Sequence, residues 1–407
     1  MITLHPVALS TGADPGEVEA RFQPIFQRIA QAADAGGGQA PLDEALAWLK
    51  QAGFGALRVP REHGGGGVSL PQLFVLLIEL AEADVAVVQA LQSHLSFVEN
   101  CVNAAPGPLR TTWFDRIVEG DLVSEALWDA RQEHAESFLQ LRRRRNDWIV
   151  KGSQRYDSSC LRADWLMASA FDATAAMLAV AAIDTRRNEI HASDAAESLV
   201  PHERQERVVR FKACSVDRGD VMAVAPRFRY EPAFHQLLHL SKLAGIGRAI
   251  ERDLTREIRT GDLESSACAS VRASERGLQQ AVGKISAWVY AAEATALRAA
   301  KPAQRAYEAH FLDSEEGERE ANFDAEIESA QGEVAVSDLI ARASKDVTTA
   351  LHSAGRECRR GSLDRHWLRA LAVPSHTLLQ EQRIVGDWRI NGHVAAALAR
   401  NAVGAAL

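Results

Sequence analysis

The groups best suited to acid–base work lie in Gly361–Leu379, GSLDRHWLRALAVPSHTLL, which packs cations, a tryptophan and imidazoles into a few turns and then becomes apolar. Such a run reads either as an active-site wall or as the charged rim of a helix bundle. An imidazole titrates near neutrality, so it can hold or release a proton under ordinary conditions. Other reactive-looking patterns point to less. His235 and His239 have i,i+4 spacing, but Gln-Leu-Leu stands between them where a zinc helix carries a glutamate, and the sequence predicts no metal. Arg142–Arg145 falls at a hairpin tip in an acidic chain, which suits a solvated turn better than nucleic acid. Gly64–Gly67 has no Lys-Ser/Thr after it, and no GxGxxG strand–turn–helix unit exists, so the chain is not expected to bind NAD(P)H itself.

These residues sit in a chain of 407 with 47% hydrophobic and 25% charged residues, an ordinary globular composition. The net charge of −8 argues against a generic polyanion partner. Cys101, Cys160, Cys214, Cys268 and Cys358 are odd in number and widely spaced, which suits reduced thiols in the cytoplasm. The first 17 residues carry no basic segment before an apolar run, and no stretch approaches 18 apolar residues, so neither a secretory signal nor a membrane span is expected. Periodicity places helices over 17–52 with a break at DAGGGQAP, a short extended piece at FGALRVP and a glycine loop at REHGGGGVSLP. Ser69 then caps a helix, and another covers roughly 85–103. From Phe138 the pattern turns to strands, beginning with a hairpin about Asn146-Asp147. Helices return at Glu231. Leu278, Val282, Ile285, Val289, Ala292 and Ala296 form a bundle seam, an acidic connector spans LDSEEGEREANFDAE, and a short helix closes the chain. The expected organisation is mainly α with a central β domain: helices over 1–124, a barrel-like β domain over 125–228, and a helical bundle over 229–407 with helices near 231–260, 266–300 and 326–354.

Helices, small β domain and bundle in this order resemble the acyl-CoA dehydrogenases. The segments GFGALRVPREHGGGGVSLPQLFVLLIELAEAD, HLSFVE, LRADW, QLLHLSKLAGIGRA, LDRHW and VGDWRINGH are similar to one subgroup, the flavin-dependent monooxygenases, which include dibenzothiophene and sulfone monooxygenases and N-oxygenases. The resemblance covers almost the whole chain and is weakest between Ser124 and Pro226. It implies reduced FMN, or FAD, delivered by a separate reductase, with O₂ and a small S-, N- or C-centred substrate, in a homotetramer assembled through the C-terminal bundle. It also implies a site between the β domain and the bundle, with a histidine from each helical half.

On that resemblance the catalytic histidines are His94 and His376; the latter lies nine positions beyond Trp367, where the family carries its HTLHDP histidine. On the residues alone, His94 also reads as a helix histidine bonded to a backbone carbonyl. Flavin contacts would come from Ser124, Ser158, Ser159, Arg259, Ala354, Gly355 and Arg356. Where the family has small or neutral residues, this chain has Glu125, Asp157, Arg356 and Glu357, which predicts weak, non-covalent flavin binding. Thr377 stands near the glutamate base of many dehydrogenases and cannot abstract a proton at neutral pH. Two alternatives therefore stay open beside the oxygenase: a family member kept as a non-catalytic partner subunit, and an acyl-CoA dehydrogenase with its base elsewhere.

Overall fold

A computed structural model describes residues 15–36, 40–127, 138–144, 147–186, 190–193, 206–260, 269–353 and 375–391. By contacts the chain divides into two compact units, residues 1–48, 68–89 and 229–407, and residues 49–67 and 90–228. Among the described residues no helix is long and apolar enough to cross a membrane.

The first unit is helical. Helix α1 (Pro15–Ala35) buries Phe22, Phe26, Ile29 and Ala33 along one stripe, and α2 (Leu42–Gln51) follows it. Helix α3 runs Leu70–Asn103, contributing its start to this unit and its end to the other. At its start Ser69 and Gln72 bond each other reciprocally, Gln72 N–H to Ser69 Oγ at 3.4 Å and Ser69 N–H to Gln72 Oε1 at 2.8 Å, a capping box. The two helices expected at 73–81 and 85–103 are one helix kinked at Asp84, whose φ is −158° and ψ 114°. Its carboxylate accepts from Ala86 N–H at 2.9 Å and Ala40 N–H at 2.8 Å, restarting the helix and tying it to the α1–α2 link.

The bundle is α5 (Glu231–Thr260), α6 (Ala269–His310), α7 (Glu315–Ser353) and a helix numbered α8 (Ser375–Asn391), preceded in the chain by α4 (Pro108–Val118) of the second unit. The expected seam is buried except at Val282. The acidic connector is a correction: only residues 311–314 link α6 to α7, and Glu315, Glu316 and Glu318 lie in the first turn of α7, where carboxylates suit the helix dipole. The closing helix expected over 392–407 lies outside the described residues.

The second unit is built on a mixed eight-stranded sheet of order β6-β7-β3-β2-β4-β5-β8, with β1 beside β4. The strands are β1 (Val123–Glu125), β2 (Leu139–Arg144), β3 (Asp147–Asp157), β4 (Trp165–Asp172), β5 (Met177–Asp184), β6 (Ile190–Ala192), β7 (Glu206–Val216) and β8 (Val221–Ala223). β2 and β3 form the expected hairpin; the long β3–β7 pairing carries a bulge at Ala213, whose φ is 114°. Tyr156, Leu166, Ala168, Val209 and Phe211 belong to one apolar core. FGALRVP is corrected from an extended piece to a 3-10 turn at Phe54–Ala56. The tetraglycine loop folds back so tightly that a Cβ on Gly65 would stand 2.2 Å from the Val59 carbonyl oxygen, and Gly64 and Gly67 have φ of 85° and 60°.

Candidate functional site

Strand β1 is only three residues long, and side chains of α3 clamp it. Val123 N–H donates to His94 Nδ1 at 3.2 Å, and Glu125 N–H donates to Ser93 Oγ at 2.7 Å. Just before the strand, Leu122 N–H donates to Asp164 Oδ2 at 2.7 Å, and the same oxygen receives Lys50 Nζ at 2.7 Å. The other edge of β1 pairs in parallel with β4. Asp164, the acidic residue of the LRADW segment, is thus a hub that fixes where β1 begins.

His94 is fully enclosed, 1% exposed. Since Nδ1 accepts from Val123, the ring proton sits on Nε2 and is donated to the Gly55 carbonyl at 3.1 Å. Burial holds its pKa down to about 4, against the opposing pull of the Gly55 carbonyl. The expectation of an imidazole poised to exchange protons therefore meets a neutral ring with both nitrogens committed to backbone. Gly55 is required here, because a Cβ would stand 2.6 Å from His94 Nε2.

Glu125 is not the unpaired carboxylate expected. Arg227 grips it at 2.8 and 3.1 Å and also donates to Ser96 Oγ at 2.9 Å. Asp157 is likewise occupied: its carboxylate caps the end of β3, accepting Ser159 N–H at 2.9 Å and Ser159 Oγ–H at 2.7 Å. Ser158 is partly exposed beside them. Ser124 differs. It is 4% exposed, and its Oγ has no hydrogen-bond partner among the described residues. A buried hydroxyl costs free energy until something bonds it. Ser124 shares this state with Trp113 Nε1 in the same unit, but it alone of the two lies on β1, between the β4 neighbour and the α3 clamp.

Arg259 belongs to the first unit, exposed on α5 in a groove of about 540 Å³ with Arg248, Arg252 and Arg256. Glu82 and Asp34 neutralise much of this row: Arg248 meets Glu82 at 2.8 Å and Arg256 meets Asp34 at 2.7 Å. His376 lies in the first turn of α8, but its side chain, like Ala354, Gly355, Arg356 and Glu357 entirely, falls outside the described residues. His235 and His239 each meet a glutamate, Glu231 at 3.4 Å and Glu333 at 3.3 Å.

Residues 18–121 match the family model for the acyl-CoA dehydrogenase N-terminal domain. Across the whole chain the architecture is similar to dibenzothiophene monooxygenase TdsC from Paenibacillus sp. A11-2, with a TM-score of 0.73 at 17% identity over 94% of this chain and 99% of that one. The chain has the acyl-CoA dehydrogenase fold. Methanesulfinate monooxygenase MsuC from Pseudomonas fluorescens shares it, with a TM-score of 0.71 at 17% identity over 93% and 98%. So does KijD3, solved in complex with FMN and an amino-keto dTDP-sugar, with a TM-score of 0.67 at 19% identity over 93% and 96%. A search of curated proteins found no match. Within this acyl-CoA dehydrogenase fold, the residues sequence reasoning missed are the holders: Gly55, Ser93, Asp164 and Arg227. Asp164 and Gly55 carried a signal, as parts of LRADW and GFGALRVP; Ser93 and Arg227 did not.

Proposed function

We propose that this protein is a flavin-dependent monooxygenase. It would take reduced FMN, or FAD, from a separate reductase and place one atom of O₂ on a small S-, N- or C-centred substrate, the other leaving as water. The observation that carries this reading is the buried, partnerless hydroxyl of Ser124 on a strand fixed at both edges. The fold likeness to monooxygenases, one of them solved with FMN, supports it. The residues fit a flavin better than the sequence implied, because Arg227 neutralises Glu125 and Asp157 is spent in its own turn. Reduced flavin, when bound, supplies the electrons that activate O₂.

The chain's residues divide the remaining work. Ser124 binds the cofactor through its hydroxyl. His94 holds β1 by two backbone bonds and is a positioning residue. His376 moves the proton the reaction needs, a contribution typically worth about 10²- to 10⁴-fold. The chain is a cytoplasmic homotetramer in this reading. The test is single-turnover oxidation with photoreduced FMN. Wild type should consume oxygen, His376→Ala should be slower by about 10²- to 10⁴-fold with folding intact, and Ser124→Ala should weaken flavin binding in a titration. No oxygen consumption by wild type with any reduced flavin would overturn it. A second reading, a non-catalytic partner subunit, draws on one observation: both nitrogens of His94 are bonded to backbone.

A further inference from the structure

The arginines of the β2–β3 hairpin share a sheet face with other cations. Side chains alternate along a strand, and residues directly opposite across a ladder lie on the same face. Leu141, Val150, Val209 and Phe211 belong to the apolar core, so Arg142, Lys151, Arg210 and Lys212 lie on the other side of the sheet. All four are exposed. The register sets them in adjacent rows. Gln140, Lys151 and Lys212 make one row across β2, β3 and β7. Ser153, Arg210 and His191 make the next across β3, β7 and β6. Arg142 extends the patch toward the hairpin tip.

Two features of this face cost stability. Lys151 and Lys212 are directly opposed, and like charges in that position destabilise a sheet. The bulge beside Lys212 holds Ala213 at a φ of 114°, a strain that glycine would avoid. Nor does the sheet neutralise its own patch. Among the described residues none of the four cations has an ion pair, and Arg142 donates to a neutral group, Gln140 Oε1, at 3.4 Å. The carboxylates that these strands place on the same face stand at its ends. Asp147 lies opposite Arg144 at the tip. At the other end Glu206 pairs with Arg155 at 3.4 Å, and Asp157 caps its own turn.

We propose that this face of β2, β3 and β7 is a docking surface for a separate protein that presents an acidic patch. Carboxylates set over Arg142, Lys151, Arg210 and Lys212 would relieve the repulsion that the sheet carries alone. A nucleic acid fits less well. No aromatic side chain stands on this face of the three strands for a base to stack on, and a long polyanion meets the field of a chain whose net charge is −8. A second copy meeting it face to face would set these cations against one another, and a head-to-tail contact closes only at special angles. Exposed complementary charges speed encounter more than they deepen affinity, which suits a protein that comes and goes. In the oxygenase reading that protein is the reductase, an identification that rests on that reading; the docking surface itself does not.

The test is fluorescence anisotropy of a labelled poly-L-glutamate peptide of about 20 residues, long enough to span the patch, titrated with the full-length protein. Wild type should bind in about 20 mM salt and lose at least about 10-fold in affinity in about 200 mM, because exposed charges are screened. The double variant Lys151→Glu/Lys212→Glu should bind at least about 10-fold more weakly at the lower salt. Lys151→Glu alone should weaken binding yet raise the urea midpoint, since it turns a like-charged pair into an opposite one. Arg210→Glu, on the next row, should also weaken binding and keeps the test decisive if the double variant fails to fold. No binding by wild type at low salt, or equal binding by wild type and variants, would overturn the docking surface. Tighter binding of a single-stranded DNA of matched charge would overturn the acidic protein in favour of a nucleic acid. A light-scattering mass that falls with salt in wild type but not in the double variant would overturn it in favour of a second copy. Peptide binding without oxygen consumption under photoreduced FMN keeps the surface and drops the reductase; oxygen consumption without peptide binding sinks the surface and leaves the oxygenase.

Discussion

At the scale of single residues, His94 carries the clearest consequence. A histidine whose folded pKa is lowered binds fewer protons folded than unfolded between about 4 and 6.5. Stability is therefore full above pH 6.5 and is lost as pH falls toward 4, by about 3 kcal/mol from this group. His94→Gln should flatten that part of the urea-unfolding profile between pH 6.5 and 4; a profile as steep as wild type would show that other groups carry the acid sensitivity. The sequence pointed to His94, and its plainer reading, a helix histidine bonded to a backbone carbonyl, is the arrangement seen; which backbone groups it bonds was not legible. Its partners Gly55 and Val123 lie 39 and 29 residues away, and a donor–acceptor pairing at that separation leaves no local pattern. The same holds for Arg227 and Glu125, 102 residues apart, and for Arg58 and Glu99, a buried ion pair at 2.8 Å that no periodicity announces.

At the scale of elements, much was legible, because helix seams and strand runs are periodic and local. The break between two expected helices falls where Asp84 kinks α3, since an aspartate that caps competes with helical continuation. What failed was the acidic run after α6: solvated carboxylates look alike in a loop and in the first turn of a helix. Glycines within helices show the limit of composition in another way. In α5 a Cβ on Gly245 would stand 2.4 Å from Ala81 Cβ, whereas in α6 Gly283 has nothing within 4 Å. Gly245→Ala should then destabilise by about 1–3 kcal/mol through overpacking of α5 on α3. Gly283→Ala should stabilise by about 0.5–1 kcal/mol by helix propensity alone. Urea midpoints moving in the same direction for both would mean that this close helix crossing does not exist.

At the scale of the whole molecule, the order of elements was readable although only 17% of positions agree with oxygenases of the same fold. A fold of this kind is specified by where apolar residues recur, and many sequences satisfy one recurrence. Assembly is a different matter, decided by what is left outside. Tyr290 on α6 is 76% exposed, and Leu379 and Ile390 on α8 are 68% and 82% exposed. Single apolar residues on a surface are normal. Here they fall on two helices of the bundle, and Tyr290 is the large apolar side chain that the Ala-rich α6 leaves exposed. A tetramer through the bundle would bury such residues, and a tyrosine suits an interface because its ring is apolar and its hydroxyl can stay hydrated. Light scattering at micromolar concentration should give a mass near four times 44.3 kDa. Tyr290→Glu should shift that mass downward without altering the far-ultraviolet dichroism, since the side chain packs against nothing the fold requires. A 44.3 kDa monomer for wild type would remove the tetramer. A variant that stays tetrameric would move the interface off this face of α6.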